Sequence, residues 1–285
     1  MILKNFRIHF TDTLINIYPK TEIDSFFFLL MDEYLSLKRI DITLNPDFKI
    51  ESDKILILNK ALERLKKEEP IQYIFGHTEF YGYPFLVDKN TLIPRPETEE
   101  LVEWILNEVK TLKQEKTLNI LEIGAGTGCI PISLAKNLPN ASIYSIDVSP
   151  DALKIAKKNA TLNKVNINFI EADILQTETL PKKFDIIVSN PPYVRELEKV
   201  EIKNNVLKNE PHLALFVSDK KPLIFYDKIA DLAKYNLAKN GLLFFEINQY
   251  LGKETVELLE EKGFTSIELR KDFSKNDRMI KATSN

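Results

Sequence analysis

The stretch Asn119-Ile-Leu-Glu-Ile-Gly-Ala-Gly-Thr-Gly-Cys129 joins a short apolar run to a glycine-rich turn. Three of the eight glycines of the chain, Gly124, Gly126 and Gly128, lie within five residues of each other. The residues that follow, up to Leu138, have the pattern of a helix. A glycine-rich turn between a strand and a helix lets the backbone approach a ligand closely, with helix N–H groups facing it. The stretch therefore predicts a strand–turn–helix unit that binds a ligand.

Strands and helices continue to alternate after this unit. Short apolar runs predict further strands at 142–146, 167–170, 184–188 and 242–247. Helical patterns lie between and after them at 150–162, 222–237 and 254–262. The runs Ser266–Arg270 and Arg278–Ala282 predict a closing hairpin. Such alternation is typical of an α/β fold, in which a doubly wound parallel sheet is covered by helices on both faces.

The chain before this region has a different character. Residues 1–69 contain apolar stripes with helical spacing and no glycine, which predicts a small helical bundle. Glycines and prolines punctuate short β-like pieces in residues 70–97, which predicts a β-hairpin linker. A helix opening at Pro96 leads into the α/β domain, assigned to residues 98–285.

Composition restricts the possible classes of protein. The hydrophobic share is 44% and the charged share 28%, which excludes low-complexity and disulfide-scaffold proteins. Lys and Arg number 39 against 42 Asp and Glu, so the basic excess typical of nucleic-acid binding is absent. Cys129 is the single cysteine, so no internal disulfide forms, and no zinc-type Cys/His spacing occurs. The longest dense apolar run has six residues, too few to cross a bilayer. We expect a reducing, cytoplasmic setting with no membrane and no metal.

The glycine-rich turn does not fit a dinucleotide site, because that fingerprint needs Gly or Ala where Cys129 stands. The run 122–128 instead resembles the first motif of S-adenosylmethionine-dependent methyltransferases. A carboxylate at Glu122 suits a ligand with positive charges. Asp147, at the end of the next predicted strand, can accept both ribose hydroxyls, and Asp173 is placed to meet the adenine amine. The candidate cofactor residues are Glu122, Gly124, Ala125, Gly126, Thr127, Gly128, Asp147, Asp173, Ile174 and Asn190.

A second loop, Asn190-Pro191-Pro192-Tyr193, follows the fourth predicted strand of the α/β domain directly. The two prolines remove two backbone donors and leave rigid carbonyl acceptors, and Asn190 adds a side-chain oxygen. A pocket built mainly of acceptors fits a planar NH₂ group, and Tyr193 offers an aromatic face for a planar substrate. These four residues are the candidate catalytic residues.

The Asn-Pro-Pro-Tyr tetrad resembles methyltransferases that act on planar amino groups. Further motifs are similar to those of the release factor glutamine methyltransferase family: 72–76 with 80–82, Leu92–Glu99, Glu210–Leu215 and Asp277-Arg278. The related ribosomal-protein glutamine methyltransferases differ after the Pro-Arg pair, so Pro96-Glu-Thr-Glu99 favours release factor as the substrate. Two departures exist: Asn248 stands where the family usually has glycine, and 217–221 lacks a glycine-rich acidic turn.

The resemblance implies a Rossmann-like class I methyltransferase fold of seven strands, the last antiparallel, with residues 1–69 docking the substrate. It implies methyl transfer from S-adenosylmethionine to the glutamine amide nitrogen in the Gly-Gly-Gln loop of class-1 peptide chain release factors. The product would be S-adenosylhomocysteine. We expect a monomer with no direct nucleic-acid partner. The alternatives are an adenine-N6 methyltransferase acting on nucleic acid, a glutamine methyltransferase acting on a ribosomal protein, and a binding module without catalysis.

Overall fold

The structure is a computed structural model that describes residues 1–111 and 117–284. Its internal contacts divide the chain into two compact units. The first unit contains Met1–Gly76 together with Lys203–Asn209, and the second contains His77–Ile202 and the chain from Glu210 onward. Within the described ranges, no helix is both long and apolar enough to span a membrane.

The first unit is helical. Its helices are α1 (Leu3–Leu14), α2 (Lys20–Leu35), α3 (Arg39–Leu44), α4 (Ser52–Leu65), α5 (Ile71–Phe75) and, from later in the chain, α9 (Asn204–Asn209). Apolar residues at helical spacing turn to a common interior, where Phe6, Phe10 and Phe27 are almost completely buried and pack ring to ring. The helical character predicted for the N-terminal residues is therefore present.

The α9 segment belongs to this helical unit although more than a hundred residues separate it from α5. Asn209 Nδ2 donates to the Glu68 carbonyl oxygen at 3.0 Å, and Lys208 forms an ion pair with the Glu68 carboxylate. The Lys203 ammonium lies 3.8 Å from the Glu22 carboxylate. The domains predicted from the sequence are continuous segments of chain. They therefore do not include the return of the chain to the helical unit at Lys203–Asn209.

The second unit contains the α/β sheet and a separate hairpin. The hairpin pairs β1 (His77–Phe80) with β2 (Tyr83–Leu86). The remaining strands are β3 (Asn119–Ile123), β4 (Ser142–Asp147), β5 (Asn168–Glu171), β6 (Phe184–Ser189), β7 (Val194–Arg195), β8 (Phe216–Val217), β9 (Leu237–Glu246), β10 (Thr265–Lys271) and β11 (Asp277–Thr283). Its helices are α6 (Pro96–Thr111), α7 (Cys129–Asn137), α8 (Pro150–Leu162), α10 (Ile224–Asn236) and α11 (Gly252–Glu261), with 3₁₀ turns at Glu196–Glu201 and His212–Ala214.

Among the described residues, seven strands form one sheet in the order β10-β11-β9-β6-β3-β4-β5. The pairs among β9, β6, β3, β4 and β5 are parallel, whereas β11 is antiparallel to both β9 and β10. Strands β7 and β8 form a separate two-stranded parallel pair. This topology confirms the predicted α/β fold and the antiparallel last strand.

The sheet is buried on both faces, as a parallel sheet requires. On one face Ile120 and Ile186 pack into a core with α6 and α7. On the other face Leu121 and Ile187 pack into a core with α10 and α11. The residues alternate between the faces because successive side chains of a strand point in opposite directions.

The register of the sheet brings the ends of three strands to one edge. Ile123, the last residue of β3, is paired with Ile146 of β4 and with Ser189 of β6. The next residues along each strand are therefore neighbours, because parallel strands end at the same edge. This places Gly124, Asp147 and Asn190 together.

One strand is longer than the sequence predicts. The apolar run predicts a strand at 242–247, but β9 begins at Leu237. The polar residues Lys239-Asn240-Gly241 interrupt the apolar pattern, and Asn240 has a φ of 59°. The pairing with β6 shifts at this point and continues beyond it, which no local pattern shows.

Candidate active site

A cavity of about 270 Å³ opens at the edge where β3, β4 and β6 end. Most of the candidate residues line it: Glu122, Gly124, Ala125, Gly126, Thr127, Asp147, Asp173, Ile174, Asn190, Pro191 and Pro192. Gly128 and Tyr193 do not line it. The structure thus brings together the glycine-rich turn at Gly124–Gly128, called the glycine loop below, and Asn190–Pro192, called the Asn-Pro-Pro loop. The assignment of individual roles to these residues stays a prediction.

The glycine loop has a backbone that only glycine adopts easily. Gly124, Gly126 and Gly128 have φ values of 96°, 51° and 80°, all in the left-handed region. A Cβ on Gly126 would meet no atom within 4 Å, so this residue faces open space. A Cβ on Gly128 would lie 3.0 Å from Ile132 Cδ1 and 3.3 Å from Ala156 Cβ. Gly128 therefore allows close helix packing beneath the loop, while Gly126 keeps room for a ligand.

Asp147 organises the loop as well as facing the cavity. One carboxylate oxygen, Oδ2, accepts a hydrogen bond from Gly126 N at 2.8 Å, and Oδ1 accepts one from Ser149 N at 2.8 Å. Burial raises the pKa of Asp147, and these backbone donors oppose the increase. A carboxylate has about four acceptor positions, so two remain for hydroxyl groups of a ligand.

Two further carboxyl groups border the cavity. Glu122, almost completely buried, accepts a hydrogen bond from the Ser145 hydroxyl. Burial, with a smaller contribution from the charge of Asp147, raises the pKa of Glu122 to about 8. Asp173 follows β5 by two residues, and its Oδ1 accepts from Leu175 N at 2.9 Å. That contact holds Asp173 at the cavity edge.

Asn190 is oriented by a neighbour from helix α6. Its Nδ2 donates to Thr98 Oγ1 at 3.3 Å. Its Oδ1 accepts no hydrogen bond from any residue in the described part of the chain, and Asn190 lines the cavity. A side-chain acceptor is thus available beside the two prolines.

Behind the Asn-Pro-Pro loop lies a buried carboxylate that the sequence reasoning missed. Glu246, at the end of β9, accepts from Thr98 Oγ1 at 2.6 Å and from the Tyr193 hydroxyl at 3.2 Å. Arg278 Nη1 donates to the Tyr193 hydroxyl oxygen at 3.4 Å. Burial raises the pKa of Glu246, while the bonds from Thr98 and Tyr193 and the Arg278 charge oppose this. Thr98 lies inside the Leu92–Glu99 motif, so the sequence did indicate that this segment matters, although not that it contacts Glu246.

The Tyr193 hydroxyl is therefore engaged away from the cavity. Burial raises the pKa of Tyr193, and the nearby Glu246 carboxylate raises it further. These contacts show how Tyr193 anchors the end of the loop. The predicted aromatic contact with a substrate stays a prediction.

Asn248, which departs from the usual glycine, also holds this loop. Its Nδ2 donates to the Tyr193 carbonyl oxygen at 2.9 Å and to Glu198 Oε2 at 2.8 Å. Its Oδ1 accepts from Tyr250 N at 2.9 Å. Both polar atoms of the Asn248 side-chain amide are thereby engaged, which fixes the backbone after the two prolines.

An ion pair between a partly exposed arginine and a buried glutamate joins two other loops at the cavity. Glu210 Oε1 lies 2.6 Å from Arg95 Nη2, and Glu210 Oε2 accepts from Ile93 N at 3.1 Å. The Glu210 side chain is 1% exposed. Residues on both sides of this pair, Pro94 and Pro211, line the cavity, so the pair shapes its wall.

Comparison with known proteins adds independent findings. Residues 107–215 match the family model of the methyltransferase small domain, and residues 9–76 match the PrmC N-terminal domain. The chain is 58% identical over 281 residues to a release factor glutamine methyltransferase of Flavobacterium psychrophilum, covering 99% of both chains. It is 41% identical over 271 residues to a protein of the same name from Bacteroides thetaiotaomicron, covering 95% of this chain and 96% of that one.

A solved structure shares the fold. A methyltransferase from Pyrococcus furiosus superposes with a TM-score of 0.51 at 16% sequence identity, covering 80% of this chain and 99% of that one. At this level of identity the similarity concerns the fold alone.

Proposed function

Since the chain belongs to the release factor glutamine methyltransferase family, we propose that it methylates the glutamine of the Gly-Gly-Gln loop of class-1 release factors. The methyl group goes to the side-chain amide nitrogen, N5. The observation that carries this proposal is the Asn190 Oδ1, which no described residue occupies as a donor, beside Pro191 in the cavity that also contains the glycine loop.

The chain is an S-adenosylmethionine-dependent enzyme, and the cavity residues fit that cofactor. Gly126 leaves open space above the loop, and Asp147 retains acceptor capacity for two ribose hydroxyls. Glu122 places a titratable carboxyl group beside the loop, where it can face positive charge. Asp173 is available for the adenine amine. S-adenosylmethionine, when bound, supplies a methyl group attached to a positively charged sulfur.

The contribution of the protein to the reaction is orientation of a poor nucleophile. An amide nitrogen reacts slowly because its lone pair is delocalised into the carbonyl group. In the proposal, Asn190 Oδ1 and the Pro191 carbonyl oxygen each accept one amide hydrogen of the glutamine, which turns the nitrogen toward the methyl carbon. Such orientation lowers a barrier by several kcal/mol, out of about 7–11 available from positioning.

The same two acceptors also stabilise the transition state, since positive charge develops on the nitrogen as the new bond forms. No general base is required in this proposal. The proton leaves after methyl transfer, when the nitrogen is far more acidic.

A substrate panel distinguishes this proposal from its alternatives. Labelled methyl groups are expected to enter a class-1 release factor and not a variant whose loop glutamine is replaced by alanine. Incorporation into DNA, RNA or a ribosomal protein instead would favour the alternatives. The formal net charge of −3 supports a protein substrate over nucleic acid. We further propose that the enzyme acts in the cytoplasm as a monomer.

The N-terminal helical domain is proposed to dock the release factor. Ile40 and Leu44 lie one helical turn apart on α3 and are 62% and 69% exposed. Two neighbouring exposed apolar side chains offer a partner protein apolar area to bury. We call these two residues the α3 patch.

Replacing the α3 patch with serines, Ile40→Ser with Leu44→Ser, is expected to raise KM for a full-length release factor roughly fivefold or more. The KM for a short Gly-Gly-Gln peptide is expected to stay the same, because a peptide lacks the docking surface. Steady-state kinetics with both substrates measures this. The matched control is Leu162→Ser, which changes an exposed leucine at the end of α8. Equal KM values for release factor before and after the α3 changes would contradict the docking proposal.

Cofactor affinity is expected to depend on pH through Glu122. Because the pKa of Glu122 in the free protein is raised to about 8, its carboxyl group is mostly protonated at neutral pH. The positive charges of the cofactor favour the ionised form, so binding releases a proton below about pH 8. The Kd should therefore fall as pH rises from about 6.5 toward 8, by at most tenfold per pH unit, and level off above.

Calorimetry in buffers of different ionisation enthalpy measures this proton release. Glu122→Gln keeps the shape of the side chain and is expected to abolish both the release and the pH dependence in that range. A Kd for the unsubstituted chain that is constant across this range would contradict the assignment.

A further inference from the structure

We infer that Thr98, held by Glu246, fixes the Asn190 side-chain amide with its oxygen toward the substrate nitrogen. Thr98 and Glu246 are thus positioning residues, and the inference rests on the function proposed above. Glu246 lies 148 positions from Thr98 along the chain, and their contact is made only by the fold.

The hydroxyl group of Thr98 has a single hydrogen, and the distance to Glu246 indicates which atom receives it. Thr98 Oγ1 lies 2.6 Å from Glu246 Oε2, a distance typical of a hydroxyl that donates to a carboxylate. With its hydrogen used, Thr98 can only accept from its other neighbour. The atom of Asn190 at 3.3 Å must therefore be the donor Nδ2 and not the acceptor Oδ1.

The Glu246 carboxylate is held as an acceptor on both oxygens. Its Oε1 accepts from the Tyr193 hydroxyl, which in turn accepts from Arg278. The guanidinium of Arg278 is also paired with Asp272 at 3.1 Å, so it stays close behind the loop. This arrangement gives Thr98 one direction in which to donate.

We call the two linked contacts, Thr98 to Glu246 and Asn190 to Thr98, the relay. Burial makes the relay rigid. Thr98 and Glu246 are 2% and 1% exposed, and Thr98 lies in the first turn of α6. Without the relay, the Asn190 amide could rotate by half a turn and present NH₂ to the substrate amide. Two NH₂ groups would then face each other, and the glutamine nitrogen would lose one of its two acceptors.

Thr98→Val tests the inference, because valine has nearly the same shape and no hydroxyl. We expect kcat for release factor methylation to fall at least about tenfold. KM for release factor and Kd for S-adenosylmethionine are expected to change by less than about twofold, since neither ligand bonds to Thr98 in the proposal. Thr98→Ser restores the hydroxyl and is expected to keep kcat within about threefold of the unsubstituted chain.

A double-mutant cycle separates positioning from a general structural role. In an Asn190→Ala background, Thr98→Val is expected to have no further effect on the single-turnover rate, because the group that it orients is gone. Glu246→Gln provides a second variant, since its amide can donate to Thr98 and reverse the relay; kcat should again fall. The matched control is Thr255→Val, another buried threonine whose hydroxyl bonds to a backbone carbonyl of its own helix at 2.7 Å. It should leave kcat unchanged.

The inference is overturned if a folded Thr98→Val enzyme keeps the unsubstituted kcat. It is also overturned if Thr98→Ser is as impaired as Thr98→Val, or if the two losses in the cycle simply multiply. Absence of any methyl transfer to release factor by the unsubstituted chain is a different result, because it removes the proposed function itself.

Discussion

Replacing Asn190 with alanine is expected to lower the single-turnover rate of glutamine methylation by about 10²–10³. The variant lacks the side-chain oxygen that accepts one amide hydrogen, so the glutamine nitrogen is no longer oriented. Cofactor affinity should change little, because the Asn190 backbone stays in place beside Gly124. Rapid mixing with saturating S-adenosylmethionine and release factor measures the rate, and calorimetry measures the affinity.

Asn190→Asp is the matched comparison, since it keeps an acceptor of similar shape. The structure predicts that it is also impaired, because Nδ2 donates to Thr98 and a carboxylate cannot. The new charge would in addition face Glu246 across Thr98. If Asn190→Ala transfers methyl groups to glutamine at the unsubstituted rate, the Asn-Pro-Pro loop does not hold the substrate.

The second large effect is expected for Asp147→Ala, which should weaken S-adenosylmethionine binding by about 1.5–3 kcal/mol. The ribose hydroxyls lose a charged acceptor, and Gly126 N loses the oxygen that it bonds at 2.8 Å. Titration calorimetry measures the Kd directly. Asp151→Ala is the matched control, because this exposed aspartate lies close by on α8 and forms an ion pair with Lys154. Equal affinities in both variants would remove the assigned cofactor pocket.

The sheet and the edge that carries the site were predictable from the sequence because both depend on local patterns. The apolar runs before Gly124, Asp147 and Asn190 are short and bounded by turn or helix signals, so each strand end could be located. Parallel strands bring their carboxyl ends to one edge, and the observed register does this for β3, β4 and β6. The meeting of the three residues follows from strand ends and strand direction alone.

The contacts that hold the loops of the site in place could not be predicted from local patterns. Thr98 and Glu246 are 148 positions apart, and Glu210 and Arg95 are 115 apart. No periodicity links residues at such separations, and their pairing depends on how α6 and the loops pack after the sheet has formed. The same holds for α9, whose contacts with Glu68 place it in the helical unit.

The departure at Asn248 shows a different limit. From the sequence it is only a missing glycine, and a side chain there is unexplained. In the structure the position is buried, and the side chain donates to the Tyr193 carbonyl oxygen and to Glu198. The space that a glycine would leave is used to hold the loop, a role that depends on the neighbours and not on the motif.

The most direct test of the proposed function is to incubate the full chain with S-adenosylmethionine and a class-1 release factor, then map the product by peptide mass spectrometry. The account predicts one added methyl group, located on the side-chain amide of the glutamine in the Gly-Gly-Gln loop. The release factor incubated with the Asn190→Ala chain for the same time should carry little or none. A methyl group on any other residue would contradict the account. So would a loop glutamine that stays unmodified after long incubation with excess enzyme and S-adenosylmethionine.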